Sequence, residues 1–166
     1  MFDSSIPQIS HSLKALSAIL KKAEAYCEDK KIDPNALLTA RLFPNMFPLI
    51  RQVQTATDHA KGCGARLAGI PVPSFPDEEK TFADLQARLA RTLDFLGGLK
   101  REQFADAATR TITLKVGGKD VELKGATYLS KTALPNFYFH MTTAYNILRH
   151  NGLEIGKGDF LGRQLS

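Results

Sequence analysis

The chain of 166 residues is short of most features that would announce a function. Its two cysteines, Cys27 and Cys63, are too few for a disulfide framework and lack metal-ligand spacing, so reduced thiols and a cytoplasmic setting are expected. The opening stretch MFDSSIPQIS has no basic segment followed by an apolar run, so it does not read as a secretory signal. No segment approaches the roughly 18 apolar residues that a membrane-spanning helix needs, and no membrane association is expected. Charge of one sign is lacking too: 22 Lys and Arg stand against 17 Asp and Glu, and the basic residues are scattered among the acids. Without a basic stripe or an aromatic platform, nucleic acid is not an expected partner. There are no internal repeats and no low-complexity run. The glycine-rich tail offers GKGD, which has neither the spacing nor the preceding strand of a phosphate-binding loop, and no nucleophile elbow occurs. What remains is one domain over residues 1–166, long enough for a single core.

Helical periodicity fills most of the chain. Ile9, Leu13, Leu16, Leu20, Ala23 and Cys27 recur at three and four residues, predicting a long amphipathic helix from Ser5 to about Asp29, with His11 on its outer side. Asp33-Pro34 reads as an N-cap and first helical position for a short helix to about Arg41, ended by Pro44. A second long helix runs from about Phe47 to Leu67, with Leu49, Val53, Ala56, Ala60 and Leu67 inward, His59 at the margin and Asp58 toward solvent with Arg51. Gly62 and Gly64 weaken that helix and suggest close approach of another backbone, a second subunit being one source. The proline-rich stretch from Ala68 to Asp77 is a loop. Thr81 and Asp84 form a capping box for a third helix through Phe95, closed by Gly97-Gly98.

Apolar and polar residues alternate on both sides of Gly117-Gly118, predicting a β-hairpin that pairs Ile112 with Leu123, Leu114 with Val121 and Val116 with Lys119. An isolated hairpin is marginal, so Ile112, Leu114, Val121 and Leu123 are expected to lie on the helices. Thr127 is placed to cap a helical turn through Lys131, and the tail is expected to be pinned by Phe160.

The stretch LPNFYFHMTTAYNILRHNG is the centre of interest. Leu134, Phe137, Ala144, Ile147 and Leu148 share a helix face about 140° wide. His140 lies on its margin, with Asn136 and Thr143 on the same flank, and a buried polar edge of this kind requires partners. Tyr128, Tyr138 and Phe139 near the helix start suit ordinary packing or a pocket mouth, and Cys63, one turn from His59, reads as inert core rather than nucleophile.

Taken together, DPNALLTARLFPNMFPLIRQVQ, TDHAKGCGARLAG, LPNFYFHMTTAYNILRHNG and GKGDFLG resemble an uncharacterised bacterial family within the DinB/YfiT-like superfamily of four-helix bundles. The resemblance covers nearly the whole chain and implies an all-α four-helix bundle with the β-hairpin inserted before the last helix. It also implies a metal site made by a His of the second long helix and a His-x-x-x-His pair of the last. His59 matches the first ligand and His140 the first of the pair, but Ala144 stands at the third position and cannot coordinate. Asn136 and Thr143 are poor zinc ligands. Three protein ligands plus water is the usual catalytic arrangement, so the two imidazoles would hold a divalent zinc, nickel or iron only weakly.

The expected function is therefore small-molecule binding in a degenerate pocket of His59, His140, Asn136 and Thr143. The alternatives are a metal-dependent hydrolase or thiol transferase that completes its coordination with water or substrate, and a non-catalytic structural or partner-binding dimer. A homodimer through helix faces is expected in either case.

Overall fold

The stripe from Ile9 to Cys27 folds as expected into α1, Ile6–Lys30, and is buried along its whole length. Asp33 accepts the Asn35 amide at 2.9 Å and opens α2, Pro34–Leu38. This helix stops before Arg41, where the Asn35 carbonyl accepts from both the Thr39 amide (3.0 Å) and the Thr39 hydroxyl (2.6 Å). Next come α3, Leu49–Ala68, and α4, Phe82–Gly97, the latter with the expected capping box: the Asp84 amide donates to Thr81 Oγ1 (3.1 Å) and the Thr81 amide to Asp84 Oδ2 (3.0 Å). The computed structural model describes residues 1–165.

β1, Thr111–Val116, and β2, Lys119–Lys124, pair in the predicted register. Gly117 and Gly118 both have positive φ (58° and 81°), which the two-residue turn requires. Burial is less complete than alternation suggests. Ile112 is buried and Leu114 and Leu123 are half-buried, but Val116 and Val121 are 58% and 38% exposed, so the tip runs past the helices that support its base. The base is held by backbone. The Gly125 amide donates to the Arg110 carbonyl at 2.9 Å, and a Cβ at Gly125 would lie 1.8 Å from the Ala107 oxygen.

Helix resumes at Gly125, so Thr127 lies inside α5, Gly125–Tyr128, rather than capping it. A π turn, Leu129–Ala133, joins α5 to α6, Leu134–His150. Pro135 lacks an amide hydrogen and its ring crowds the preceding turn, which favours the wider spacing there. After α7, Lys157–Phe160, the tail is fixed by Phe160 edge-on to Tyr145 (5.7 Å), by Lys22 on Asp159 (2.6 Å) and by His11 Nε2 on the Leu161 carbonyl (2.9 Å).

The four long helices α1, α3, α4 and α6 form the bundle: α3 lies between α6 and α4, and α1 packs on α4 and α6. α3 is enclosed on nearly every side, burying Gln52, Gln54, Thr57 and Lys61 as well as its apolar stripe. The close approach suggested by its glycines is internal. A Cβ at Gly64 would meet Leu96 and Leu99 at 2.8 Å, and no second subunit is needed to explain it. Among the described residues no helix is long and apolar enough to cross a membrane.

Arg88 ties α4 to the rest, and its side chain has no exposed surface. Its Nε donates to Thr57 Oγ1 (2.6 Å), Nη2 to Asp58 (2.7 Å), and Nη1 to the Pro76 carbonyl and to Glu79 (both 3.0 Å), while Asp77 lies 3.0 Å from Nη2. Asp58, expected to face solvent, is thus half-buried between Arg88 and Lys61. Arg88→Met leaves the nearly buried Glu79 with Gln54 but no cation and is expected to cost about 3–5 kcal/mol of unfolding free energy, read from urea midpoints. Arg101→Ala, which removes a solvent-exposed pair with Asp3 and a surface cation–π contact with Phe2 (5.2 Å), should shift the midpoint far less.

Candidate functional site

Gln52, His59 and Arg66 follow one another at seven-residue intervals on α3, close to two full turns each, so they line up along one face. His140 of α6 meets the first two. Its Nδ1 lies 2.7 Å from Gln52 Oε1, and Gln52 Nε2 donates to the Phe47 carbonyl at 3.0 Å. The second bond fixes the amide, so Oε1 is the acceptor, Nδ1 carries the hydrogen and Nε2 keeps its lone pair. The His59 ring stacks on His140 with centroids 5.5 Å apart and planes 11° from parallel. Phe139 stands edge-on to His140 at 5.2 Å, and Phe47 is parallel to it at 6.4 Å.

Burial drives both imidazoles toward the neutral form. It pushes His140 down to about 4, helped by His59 and Arg51. It also lowers His59, where Asp58 works against it and Arg66 with it. Cys63, buried one turn from His59, is pushed up to about 12 by desolvation and is not a nucleophile at neutral pH.

The other two residues of the predicted pocket turn away from it. Asn136 Nδ2 donates to the Thr132 carbonyl in the π turn (2.7 Å) and Thr143 Oγ1 to the Phe139 carbonyl within α6 (2.7 Å), each four residues back along the chain. The polar edge of α6 is therefore satisfied mainly by backbone, and only His140 reaches across the bundle.

His59 also opens on a groove of about 520 Å³ between the helices and the hairpin. Arg66, Tyr128 and Thr132 line it from the helical side and residues 113–116 from β1. Arg66 Nη1 donates to the Tyr128 hydroxyl at 3.3 Å, and burial raises the Tyr128 phenol. Among the described residues neither His59 nitrogen has a hydrogen-bond partner in the chain. None of their side-chain nitrogens or oxygens is both sealed from solvent and unpaired, so the imidazole keeps access to the groove. Gln52 and Arg66 escaped the reading of the sequence, although their seven-residue spacing from His59 was the available signal. The groove wall from β1 had no such signal, because hairpin placement is tertiary.

The donor set does not fit a catalytic divalent metal. Two imidazoles are present where three protein ligands are usual, and no group of three His, Cys, Asp or Glu able to hold an ion occurs among the described residues. Lone pairs lie in the ring planes, and two stacked, near-parallel rings do not aim them at a common point. Ala144, at the third position, is fully buried.

Bundle, hairpin insertion and histidine placement define a DinB-like protein. A solved crystal structure of a DinB family member protein from Shewanella denitrificans is similar over 97% of this chain and 91% of its own, at 48% sequence identity and a TM-score of 0.91. The family described as a domain of unknown function, DUF1993, matches residues 1–161, and the chain belongs to it. No curated protein is significantly similar to it.

The neutral imidazole predicts an acid-side loss of stability. The unfolded chain binds a proton at His140 near the ordinary value of 6.5, whereas the folded chain resists until about 4. Stability above 6.5 is thus insensitive to this group, falls as pH drops through that window, and levels off below it. In urea titrations at stepped pH, His140→Gln should show a shallower decline over this window than the natural protein.

Proposed function

We propose that this protein binds a small molecule in the groove at the His59 and His140 end of the bundle. The observation that supports this reading best is the half-buried His59 imidazole, which has no hydrogen-bond partner in the chain among the described residues and lines a groove of about 520 Å³. Polar groups inside bundles are normally paired by the protein itself. One left open beside a phenol, a threonine hydroxyl and the apolar face of a hairpin suits a ligand, and the volume is in the range of small-molecule pockets.

A second reading, a metal-dependent hydrolase or thiol transferase, draws on one specific feature. Gln52 holds the His140 Nδ1 hydrogen, which leaves Nε2 as an imidazole lone pair in the tautomer a metal ligand uses.

Titration of ¹⁵N-labelled protein with a chemically diverse fragment set tests the first reading. Amide shifts should concentrate at Tyr128, Thr132 and residues 113–116, and His59→Ala should weaken the hits at least tenfold while the thermal midpoint stays close to that of the natural protein. Shifts confined to other surfaces, or none, would sink it. Elemental analysis of untagged protein separates the second reading. Stoichiometric zinc, nickel or iron that disappears in both His59→Ala and His140→Ala would favour the enzyme.

A further inference from the structure

The charge of the groove is one-sided. Its ionisable lining groups are Arg66, Lys115, His59 and Tyr128; no carboxylate lines it, and Lys115 is paired outside it with Asp120 at 3.5 Å. Elsewhere the buried and half-buried guanidinium groups face acids: Arg88 meets Asp58 and Glu79, Arg51 meets Asp77, and Arg110 meets Asp106. Arg66 is half-buried and has no carboxylate partner among the described residues, its nearest polar contact being the neutral Tyr128 hydroxyl at 3.3 Å. A guanidinium withdrawn from bulk water without a counter-charge is primed for an anion that can accept its forked hydrogens.

Its seat is built by Gly62. A Cβ there would lie 2.4 Å from Arg66 Nη1, so the absence of a side chain at 62 lets the guanidinium fold back along α3 toward Tyr128. On the opposite wall, Leu114 and Val116 of the overhanging hairpin tip offer apolar surface, and Val116 is 58% exposed.

We infer that the groove binds an organic carboxylate with an apolar body, the carboxylate on Arg66 with the Tyr128 hydroxyl beside it and the body against Leu114 and Val116. This rests on the reading of the groove as a small-molecule site. A carboxylate suits it better than a phosphate ester because one planar fork matches one negative charge, and because the facing wall at Leu114 and Val116 is apolar.

Matched pairs test the assignment: straight-chain acids from hexanoate to dodecanoate and 4-phenylbutyrate, each against its primary amide, with inorganic phosphate as a bodiless anion. Binding is read by calorimetry and by ¹⁵N shifts. The acids should bind at least tenfold more tightly than their amides, with shifts at residues 113–116 and Tyr128, and phosphate should bind more weakly than any acid. Arg66→Gln should erase the difference between acid and amide. Gly62→Ala, which displaces only the end of a flexible side chain and favours the helix, should weaken the acids without lowering the thermal midpoint. Equal binding of acid and amide, acid binding indifferent to Arg66→Gln, or phosphate binding as tightly as the acids would overturn the assignment. If the carboxylates fail while neutral fragments still bind the groove, the carboxylate assignment falls and the small-molecule reading stands. If nothing of any class binds, both fall.

Discussion

A guanidinium sealed inside the protein sets the geometry of everything around it. Arg88 can be buried only because every face of its charge is matched, by Thr57 and Asp58 on α3 and by Pro76, Asp77 and Glu79 on the connection that precedes α4. Arg51 and Lys61 complete the set, so three cations stand among three carboxylates. A proline-rich connection with no regular structure is thereby fixed to two helices. The arrangement also decides which flank of α3 is left over. Thr57 and Lys61 lie roughly half a turn from His59 at 100° per residue, so a network that claims their side presents Gln52, His59 and Arg66 to α6 and the hairpin.

The second constraint is Pro135. With no amide to donate and a ring that crowds the turn before it, it suits the π spacing of Leu129–Ala133 and makes one bent run of α5 and α6. Tyr128 and Thr132 border or belong to that wide turn, and both line the groove. Asn136 supplies its side-chain amide to the Thr132 carbonyl there. A residue whose position on the helical wheel suggests a pocket is occupied in satisfying the backbone.

The difference between what sequence and structure reveal follows from the range of each interaction. Helix periodicity, the Thr81–Asp84 box, the Gly117-Gly118 turn and the hairpin register are set within a few residues, and all are legible from the chain alone. Resemblance carried the bundle and the pairing of His59 with His140 across 81 positions, which periodicity could not. Neither route exposed Arg88. A lone arginine on a predicted helix looks like solvent-facing charge until its three acids, drawn from two other segments, are brought to it. The hairpin tip failed for a related reason: alternation shows which residues share a face, not how far the supporting helices extend beneath it. Gly62 and Gly64 suggested the approach of another backbone, but what lies against them is side chains, the Arg66 guanidinium of the same helix in one case and Leu96 and Leu99 in the other.

The same electrostatics bear on both functional readings of the groove, in opposite directions. His140 is held neutral by burial and by the His59 ring against it, and His59 is kept low by burial, with Asp58 opposing the shift and Arg66 adding to it. A divalent cation placed at this pair would find two imidazoles and no carboxylate lining the groove, with Asp58 acting on His59 only from a position committed to Arg88 and Lys61. An anion meets the reverse situation: the cation is already in place, hydroxyls flank it, and no acid competes for it. Alanine at 144 adds no charge or donor to this end of the bundle. What stands there is a neutral imidazole pair beside an arginine without a carboxylate partner, a setting that favours negative charge over positive.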